Sequence, residues 1–268
     1  MKMRKSGTLR KMYSRLENPV QYGISLDEKQ IPLNPLIGSN TKLVFTGNIY
    51  CIECGRKTKK SFNQGYCYPC FQKLQQFFTC LIHPEKCRCE EGSCMQDHIV
   101  YLANSSGLKV GITRATQVPT RWIDQGASQA LAIARVRNRF QSGLLEVLIK
   151  QHIADKTNWR DMLKGIADPV DLKHEAGKIL SRFGSEIDEL QDRYSPFGIN
   201  ILNGIRVVDI FYPVSNYPEK ISSYNFDKEP LLEDKLLGIK GQYLIFDDQT
   251  VFNIRSNEGQ KIKLIISN

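Results

Sequence analysis

The sequence predicts an α+β protein, in which β-rich segments at both ends and a cysteine-rich module flank a three-stranded sheet with helices. Short apolar stretches separated by Pro and Gly indicate strands toward both ends of the chain: 8–13, 20–25, 43–45, 238–246, 251–255 and 261–266. Eight cysteines fall between residues 51 and 94. From residue 98 onward the pattern changes to alternating strands and helices.

Most of the predicted helices lie in the middle of the chain. Residues 99–103 and 108–112 are apolar and flank a Ser-Ser-Gly turn, which is typical of a β-hairpin. Further elements are expected along the chain: a short helix over 119–125, a strand over 131–136, helices over 144–153, 159–163 and 172–190, and a strand over 205–212. We therefore expect four segments: 1–50, 51–97, 98–200 and 201–268. The first and last could pair into one sheet.

Charge is distributed unevenly along the chain. The net charge is +9, and residues 1–50 and 101–160 hold eight and nine Lys/Arg against three acids each. Residues 161–268 hold thirteen Lys/Arg against seventeen acids. This asymmetry favours a polyanionic partner, a nucleic acid, over a merely solvated basic surface. DNA or RNA and the oligomeric state stay open.

The chain shows no pattern of a membrane or secreted protein. No apolar run approaches the roughly eighteen residues that cross a bilayer. The basic start, Met1-Lys-Met-Arg-Lys, is not followed by an apolar segment, so we expect no secretory signal. Cysteines crowded into one segment then favour reduced thiolates on a metal over disulfides. We expect a cytoplasmic protein.

The first four cysteines have the spacing of a structural zinc ribbon. Cys51 and Cys54 form one Cys-x-x-Cys knuckle, and Cys67 and Cys70 form another twelve residues later. A redox-active pair would need one knuckle at a helix start instead of two facing each other. Gly55 follows the first pair, where the backbone often needs a positive φ. Three lysines of the loop are predicted to contact phosphates: Lys57, Lys59 and Lys60.

The next four cysteines predict a second metal site. Cys80, Cys87, Cys89 and Cys94 lie within fifteen residues, with His83 and His98 as additional nitrogen ligands. Zinc is the leading interpretation, but their irregular spacing also suits an iron–sulfur cluster, and one or two thiols could be free. The fourth ligand stays open between Cys89 and His98.

Residues 98–159 carry Val100-Tyr101-Leu102 and Lys109-Val110-Gly111 inside the predicted hairpin. This stretch resembles the GIY-YIG nuclease superfamily, with the first tripeptide in the place of GIY and the second in that of YIG. The other positions follow in the family's order: Arg121 on the first helix, Glu146 in Leu144-Leu-Glu-Val-Leu-Ile-Lys150, and Asn158 twelve residues later. Lys109 departs from the second tyrosine of the motif, and the His or Tyr one turn after the arginine is missing. The middle sheet is thus expected to be GIY-YIG-like.

This resemblance implies Mg²⁺-dependent phosphodiester hydrolysis. Glu146 would hold the cation and Arg121 would bind a phosphate oxygen. Tyr101 would accept or relay a proton from the attacking water, and Asn158 would orient its neighbours. Lys109 completes the predicted catalytic set. Further cations are predicted to bind the nucleic acid, three of them along one side of a strand: Arg114, Arg135, Arg137 and Arg139.

The chain as a whole is also similar to a bacterial family of unknown function. That family pairs a Cys-x-x-Cys-Gly-Arg ribbon with a stretch reading Pro-Thr-Arg-Trp-Ile-Asp-Gln-Gly-Ala, here 119–127. The likeness supplies no activity. Three functions therefore follow from the sequence: a zinc-containing nucleic-acid-binding nuclease, a non-catalytic RNA- or ribosome-binding module, or a nucleic-acid modification enzyme with a metal or iron–sulfur site.

Overall fold

The structure is a computed structural model that describes residues 3–76, 80, 82–196, 198–204 and 206–267. It divides into two compact units. The terminal unit comprises Met1–Gln75, Leu163–Gly165 and Phe211–Asn268, and the central unit comprises Gln76–Met162 and Ile166–Ile210. The mixed α+β class predicted from the sequence is confirmed.

The elements are numbered in chain order. The strands are β1 (Met3–Arg15), β2 (Gln21–Leu26), β3 (Lys29–Pro32), β4 (Asn40–Tyr50), β5 (Lys57–Thr58), β6 (His98–Asn104), β7 (Leu108–Arg114), β8 (Gln129–Val136), β9 (Ile199–Ile201), β10 (Val208–Asp209), β11 (Ser222–Ser223), β12 (Leu231–Lys240), β13 (Tyr243–Phe246), β14 (Thr250–Asn253) and β15 (Gln260–Ser267). The helices are α1 (Tyr68–Gln76), α2 (Thr120–Asp124), α3 (Arg139–Ile149), α4 (Trp159–Lys164), α5 (Leu172–Arg182) and α6 (Gly184–Arg193).

The terminal unit is built on a ten-stranded sheet in the order β11-β14-β13-β12-β4-β15-β1-β2-β3, with β5 paired to β4. The last strand, β15, lies antiparallel between β1 and β4, so both chain ends share one sheet. Ile262 faces Gly7 on one side and Phe45 on the other. Ile262, Leu43 and Leu9 are fully buried, so strands β15, β4 and β1 all contribute to the apolar core of this unit.

Several features of the terminal unit differ from the sequence prediction. The single strand expected over 238–246 is a hairpin of β12 and β13, because Gly241 adopts φ +62° and lets the chain reverse. Strands β3, β5 and β11 and helix α1 were not predicted. All are short and lie next to turns, where the hydrophobic pattern is too brief to indicate an element.

The central unit holds a five-stranded antiparallel sheet in the order β10-β8-β6-β7, with β9 paired to β8. The predicted hairpin is confirmed as β6 and β7, which pair from His98 to Arg114. Every residue of the central strand β6 is buried. Apolar residues of α3, α5 and α6 pack on this sheet, among them Leu145, Ile179 and Ile187.

Helix boundaries in the central unit follow local capping. Helix α3 begins at Arg139 instead of the predicted residue 144, because the Asn138 side chain accepts a hydrogen bond from the Gln141 amide. The helix expected over 172–190 is two helices, since Phe183 leaves helical geometry at φ −110°, ψ 20°. The strand expected over 205–212 is limited to Val208–Asp209, and Ile205 lies outside the described residues. Within the described chain, no helix combines the length and apolar composition needed to span a membrane.

Lys240 is a fully buried cation in the terminal unit. Its Nζ donates to the Gly165 carbonyl oxygen at 2.7 Å and lies 5.3 Å from the ring centroids of both Tyr212 and Tyr217. No carboxylate among the described residues forms an ion pair with it. Burial therefore lowers the pKa of Lys240 to about 8.

We predict that Lys240→Met removes a pH dependence of folding. Between the folded pKa of about 8 and the usual value of 10.5, the unfolded chain binds the proton more tightly, so wild-type stability rises with pH. Relative to Lys240→Met, the wild type should gain about 3 kcal/mol across this window. Urea unfolding of both proteins from pH 7 to 10.5 measures the difference, and parallel curves would contradict the prediction.

Candidate functional site

The first cysteine group brings four sulfurs together in the terminal unit. The Sγ atoms of Cys51, Cys54, Cys67 and Cys70 all lie within 4.8 Å of one another, and none forms a disulfide. Cys54 Sγ and Cys67 Sγ are 3.7 Å apart. Four thiolates at about 2.3 Å from a tetrahedral zinc are about 3.8 Å apart, so this donor set fits zinc.

Local backbone geometry produces this first group. Gly55 adopts φ +70°, as predicted, and its amide donates to the Cys51 carbonyl oxygen at 3.0 Å to close the first knuckle. Cys67 and Cys70 stand at the start of α1. Burial raises the pKa of the Cys51 thiol, but hydrogen bonds from backbone amides, chiefly that of Cys54, outweigh it and lower the pKa to about 6. The knuckle therefore stabilises a thiolate, the form that binds metal.

The second cysteine group lies in the central unit. Cys80 Sγ is 3.0 Å from Cys87 Sγ, 3.4 Å from Cys94 Sγ and 4.0 Å from Cys89 Sγ. All four sulfurs, including that of Cys89, lie within 4.8 Å of one another, and His98 is not part of this group. His98 directs Nδ1 to the Gln96 carbonyl oxygen at 2.7 Å. Four sulfurs in this arrangement can hold a tetrahedral metal.

This second group is packed against helix α3. Arg139 Nε donates to the Cys80 carbonyl oxygen at 2.9 Å. Gly143 faces the 3-10 turn Pro84–Lys86, and a Cβ atom there would lie 2.2 Å from the Glu85 amide nitrogen. The backbones of the turn and the helix thus meet without an intervening side chain. The cysteine group thereby helps to fix the helix that carries Glu146.

A hydrogen-bonded polar network lies in the central unit around Gln125. Tyr101 Oη donates to Gln125 Oε1 at 2.9 Å, and Lys109 Nζ donates to the same oxygen at 2.7 Å. Lys109 Nζ also donates to Thr157 Oγ1 at 2.7 Å. Tyr101 and Lys109 are fully buried or nearly so. Gln125 therefore holds together two side chains from adjacent strands, β6 and β7.

The position of the Tyr101 ring is set by its neighbours. Gly111 is paired with Tyr101 across β6 and β7, and a Cβ atom there would lie 2.7 Å from Tyr101 Oη. The Trp122 ring packs edge-on against Tyr101 with centroids 6.0 Å apart. Only glycine at residue 111 leaves space for the tyrosine ring between the strand and the tryptophan.

Arg121, Glu146 and Asp155 place charges around this network. Burial raises the pKa of Tyr101 to about 12, Arg121 lowers it in part by charge and hydrogen bonding, and the Glu146 charge raises it. Burial and the Asp155 carboxylate raise the pKa of Glu146 to about 7. Burial, aided by Arg121, lowers the pKa of Lys109 to about 8. These groups are therefore close enough to shift one another's protonation.

Asn158 caps a helix, unlike the residues of the Tyr101 network. Its Nδ2 donates to Asp161 Oδ2, and its Oδ1 accepts from the Arg160 amide at 3.1 Å. Its own amide donates to Ser106 Oγ at 2.9 Å. The side chain thus caps the start of α4, and its described contacts do not include the Tyr101 network.

The arginines predicted to bind nucleic acid are dispersed. Arg135 is on β8 and pairs with Asp97, Nη2 to Oδ2 at 2.6 Å. Arg137 is exposed, and Arg114 is partly exposed at the end of β7. The prediction that three arginines line one side of a strand is wrong, because β8 ends at Val136 and Arg139 already begins α3.

Three residues in or around the network were missed from the sequence: Gln125 and Thr157, which form its hydrogen bonds, and Asp155, whose charge acts on Glu146 and Lys109. Gln125 follows Arg121 by four residues, one helical turn, a spacing that could have indicated a shared face. Thr157 and Asp155 lie in a loop that has no periodic pattern. Their position depends on tertiary contacts alone.

We predict opposite effects for two helical Gly→Ala substitutions. Gly143→Ala should destabilise the protein by about 1–3 kcal/mol, because the new methyl group overlaps the Glu85 backbone. Gly177→Ala in α5 meets open space and should stabilise it by about 0.5–1 kcal/mol. Chemical unfolding of both variants measures the pair. Equal effects would contradict the close packing of the turn on α3.

Comparison with known proteins identifies a family for this chain. No curated protein and no solved structure matches the chain. A family described as "Protein of unknown function (DUF2797)" matches residues 38–262, a range that contains both cysteine groups and the Tyr101 network. Because this match covers more than half of the chain, the protein belongs to the DUF2797 family.

Proposed function

We propose that the central unit hydrolyses phosphodiester bonds of a nucleic acid with one Mg²⁺ bound at Glu146. One observation carries this proposal: the buried Tyr101 hydroxyl lies in the field of both the Arg121 guanidinium and the Glu146 carboxylate. A phosphate-binding cation and a metal-binding anion beside the same buried polar group suit phosphoryl transfer. The order and spacing that resemble the GIY-YIG superfamily add support.

The residues around Glu146 fit a divalent cation. Burial and Asp155 disfavour the charged form of Glu146 and raise its pKa to about 7, so a bound cation would relieve unfavourable charge. Mg²⁺ in proteins is typically held by one or two carboxylates, with waters and substrate phosphates as the other ligands. When bound, it supplies polarisation of the phosphate and stabilisation of the leaving oxygen.

The other side chains would bind the phosphate, position the reacting groups and accept a proton. Arg121 is exposed and offers a planar pair of donors to a non-bridging phosphate oxygen. Tyr101, with a pKa of about 12 and its hydroxyl donating to Gln125, remains protonated and acts as a hydrogen-bond donor and positioning group. Lys109, with a pKa lowered to about 8, is the better proton acceptor for the attacking water.

A non-catalytic nucleic-acid-binding module is the second candidate. The observation in its favour is that both buried donors, Tyr101 Oη and Lys109 Nζ, already have protein acceptors in Gln125 and Thr157. A closed network of this kind can serve only to hold the sheet and helices in place. Under this alternative, binding depends on exposed cations and Glu146 is dispensable.

We also propose that both cysteine groups hold structural zinc. Four sulfurs and no open coordination position are typical of sites that stabilise a fold and take no part in chemistry. The alternative for the second group is an iron–sulfur cluster, which the irregular cysteine spacing also suits.

Cleavage assays test the proposed hydrolysis. Purified protein should cleave single-stranded or branched DNA, or structured RNA, only with Mg²⁺, and Glu146→Gln should lower the rate at least about 100-fold by removing the metal ligand. The matched control is Glu186→Gln on α6, an exposed glutamate outside the network, which should retain wild-type activity. Activity should fall below about pH 8, where Lys109 gains a proton, and more steeply below about pH 7, where Glu146 does, and higher Mg²⁺ should move the Glu146 limb to lower pH.

Two outcomes would contradict hydrolysis at Glu146. Inactivity of the wild type on every substrate, with binding retained by Glu146→Gln, would favour the non-catalytic module. Cleavage that persists in Glu146→Gln would place the activity elsewhere.

Metal analysis tests the zinc proposal. The protein should be colourless and contain two zinc ions per chain, one for each group of four cysteines. Cys89→Ser should reduce the content to about one, whereas His98→Asn should leave two. Visible absorbance with bound iron would establish a cluster instead, and zinc loss in His98→Asn alone would reverse the ligand assignment.

A further inference from the structure

Three aromatic side chains form a surface group beside the first cysteine group: Phe62, Tyr68 and Phe71. The ring centroids of Phe62 and Tyr68 are 5.4 Å apart, and those of Phe62 and Phe71 are 5.9 Å apart with planes 20° from parallel. Tyr68 remains 52% exposed despite these contacts. A ring held by aromatic neighbours yet half open to solvent presents a surface on which another ring can stack.

The same segment carries a concentration of positive charge. Residues 51–75 contain five Lys/Arg and one acid, Glu53. Lys60 Nζ lies 5.5 Å from the centroid of the Phe62 ring, so the charge reaches the aromatic group itself. Arg56, Lys57 and Lys59 are exposed, and none of them forms an ion pair with a described carboxylate. The charge of the segment therefore remains available to an anionic partner.

Tyr68 is held in place from two directions. It lies between Cys67 and Cys70, two of the four grouped cysteines, at the first residue of α1. The Phe62 backbone is fixed by reciprocal hydrogen bonds with Tyr66, each at 2.9 Å. The ring is therefore positioned before any ligand arrives, which reduces the entropy lost on binding.

We propose that this surface, the Tyr68 platform, binds single-stranded nucleic acid. An unpaired base stacks on the Tyr68 ring, and the adjoining phosphates contact Arg56, Lys57, Lys59 and Lys60. Paired bases are stacked within a duplex and cannot offer a free face to a side chain, so the platform selects single strands. The inference rests on the proposed function for the identity of the partner as nucleic acid, and adds the strandedness and the site of contact.

Binding measurements on the zinc-loaded protein of 268 residues test the platform. The probes are fluorescein-labelled oligo(dT) and oligo(U) of about 15 nucleotides and a duplex of equal length, titrated by fluorescence anisotropy without Mg²⁺. Tyr68→Ala should weaken single-strand binding about tenfold, while Tyr68→Phe should bind as the wild type does, because it keeps the stacking face. The two labelled strands distinguish DNA from RNA.

Matched variants separate stacking from charge and from misfolding. Phe211→Ala removes an aromatic ring of equal exposure, 53%, from the same unit and should leave Kd unchanged. The triple variant Arg56→Ala, Lys57→Ala, Lys59→Ala should reduce the slope of log Kd against log salt by about two for a single strand. Zinc content and melting temperature verify that each variant is folded.

Binding is measured without Mg²⁺, where the proposed hydrolysis does not occur. A loss of cleavage in Glu146→Gln and a loss of single-strand affinity in Tyr68→Ala are therefore independent results. Unchanged single-strand affinity in folded Tyr68→Ala would overturn the platform. An equal loss of duplex binding in that variant would also overturn it, as would anionic vesicles that compete as well as the oligonucleotide. A catalytically inactive protein with Tyr68-dependent binding would leave it standing.

Discussion

Gly111 has no side chain, and the Tyr101 ring across the strand pair occupies the space this leaves. The arrangement of the central unit depends on that packing constraint. With Trp122 against one edge of the ring, the tyrosine hydroxyl is directed to Gln125, whose oxygen also accepts from Lys109. Two strands and a short helix are thereby connected through the side-chain oxygen of Gln125. The charges of Arg121 and Glu146 shift the pKa of Tyr101 in opposite directions.

The two cysteine groups lie in segments that contain few long elements. The described elements between β5 and β6 include α1, of nine residues, and two 3-10 turns. Under the proposed zinc binding, a metal held by four thiolates would add to the stability of these segments. In the central unit this has a consequence for Glu146, because the turn Pro84–Lys86 packs directly on Gly143, one helical turn before it. The second group is therefore both a fold element and a support for the candidate site.

Patterns in the sequence predicted what depends on local spacing. The β6–β7 hairpin, the two sets of four cysteines and the positive φ of Gly55 all follow from residue types a few positions apart. The sequence did not reveal Gln125 as the common acceptor or the burial of Lys240. Both depend on contacts between residues distant in the chain, which no periodicity encodes. The supposed arginine track failed for a local reason, since the Asn138 cap ends the strand pattern and starts α3.

Under the proposed function, Arg121 binds a phosphate and Glu146 binds a cation beside the Tyr101 network. The test is a crystal structure with Mn²⁺ and a phosphorothioate oligonucleotide that resists cleavage. We expect an anomalous Mn²⁺ peak at the Glu146 carboxylate and a phosphate oxygen within hydrogen-bonding distance of Arg121. A bound oligonucleotide with its phosphates away from Arg121 and no Mn²⁺ at Glu146 would contradict it.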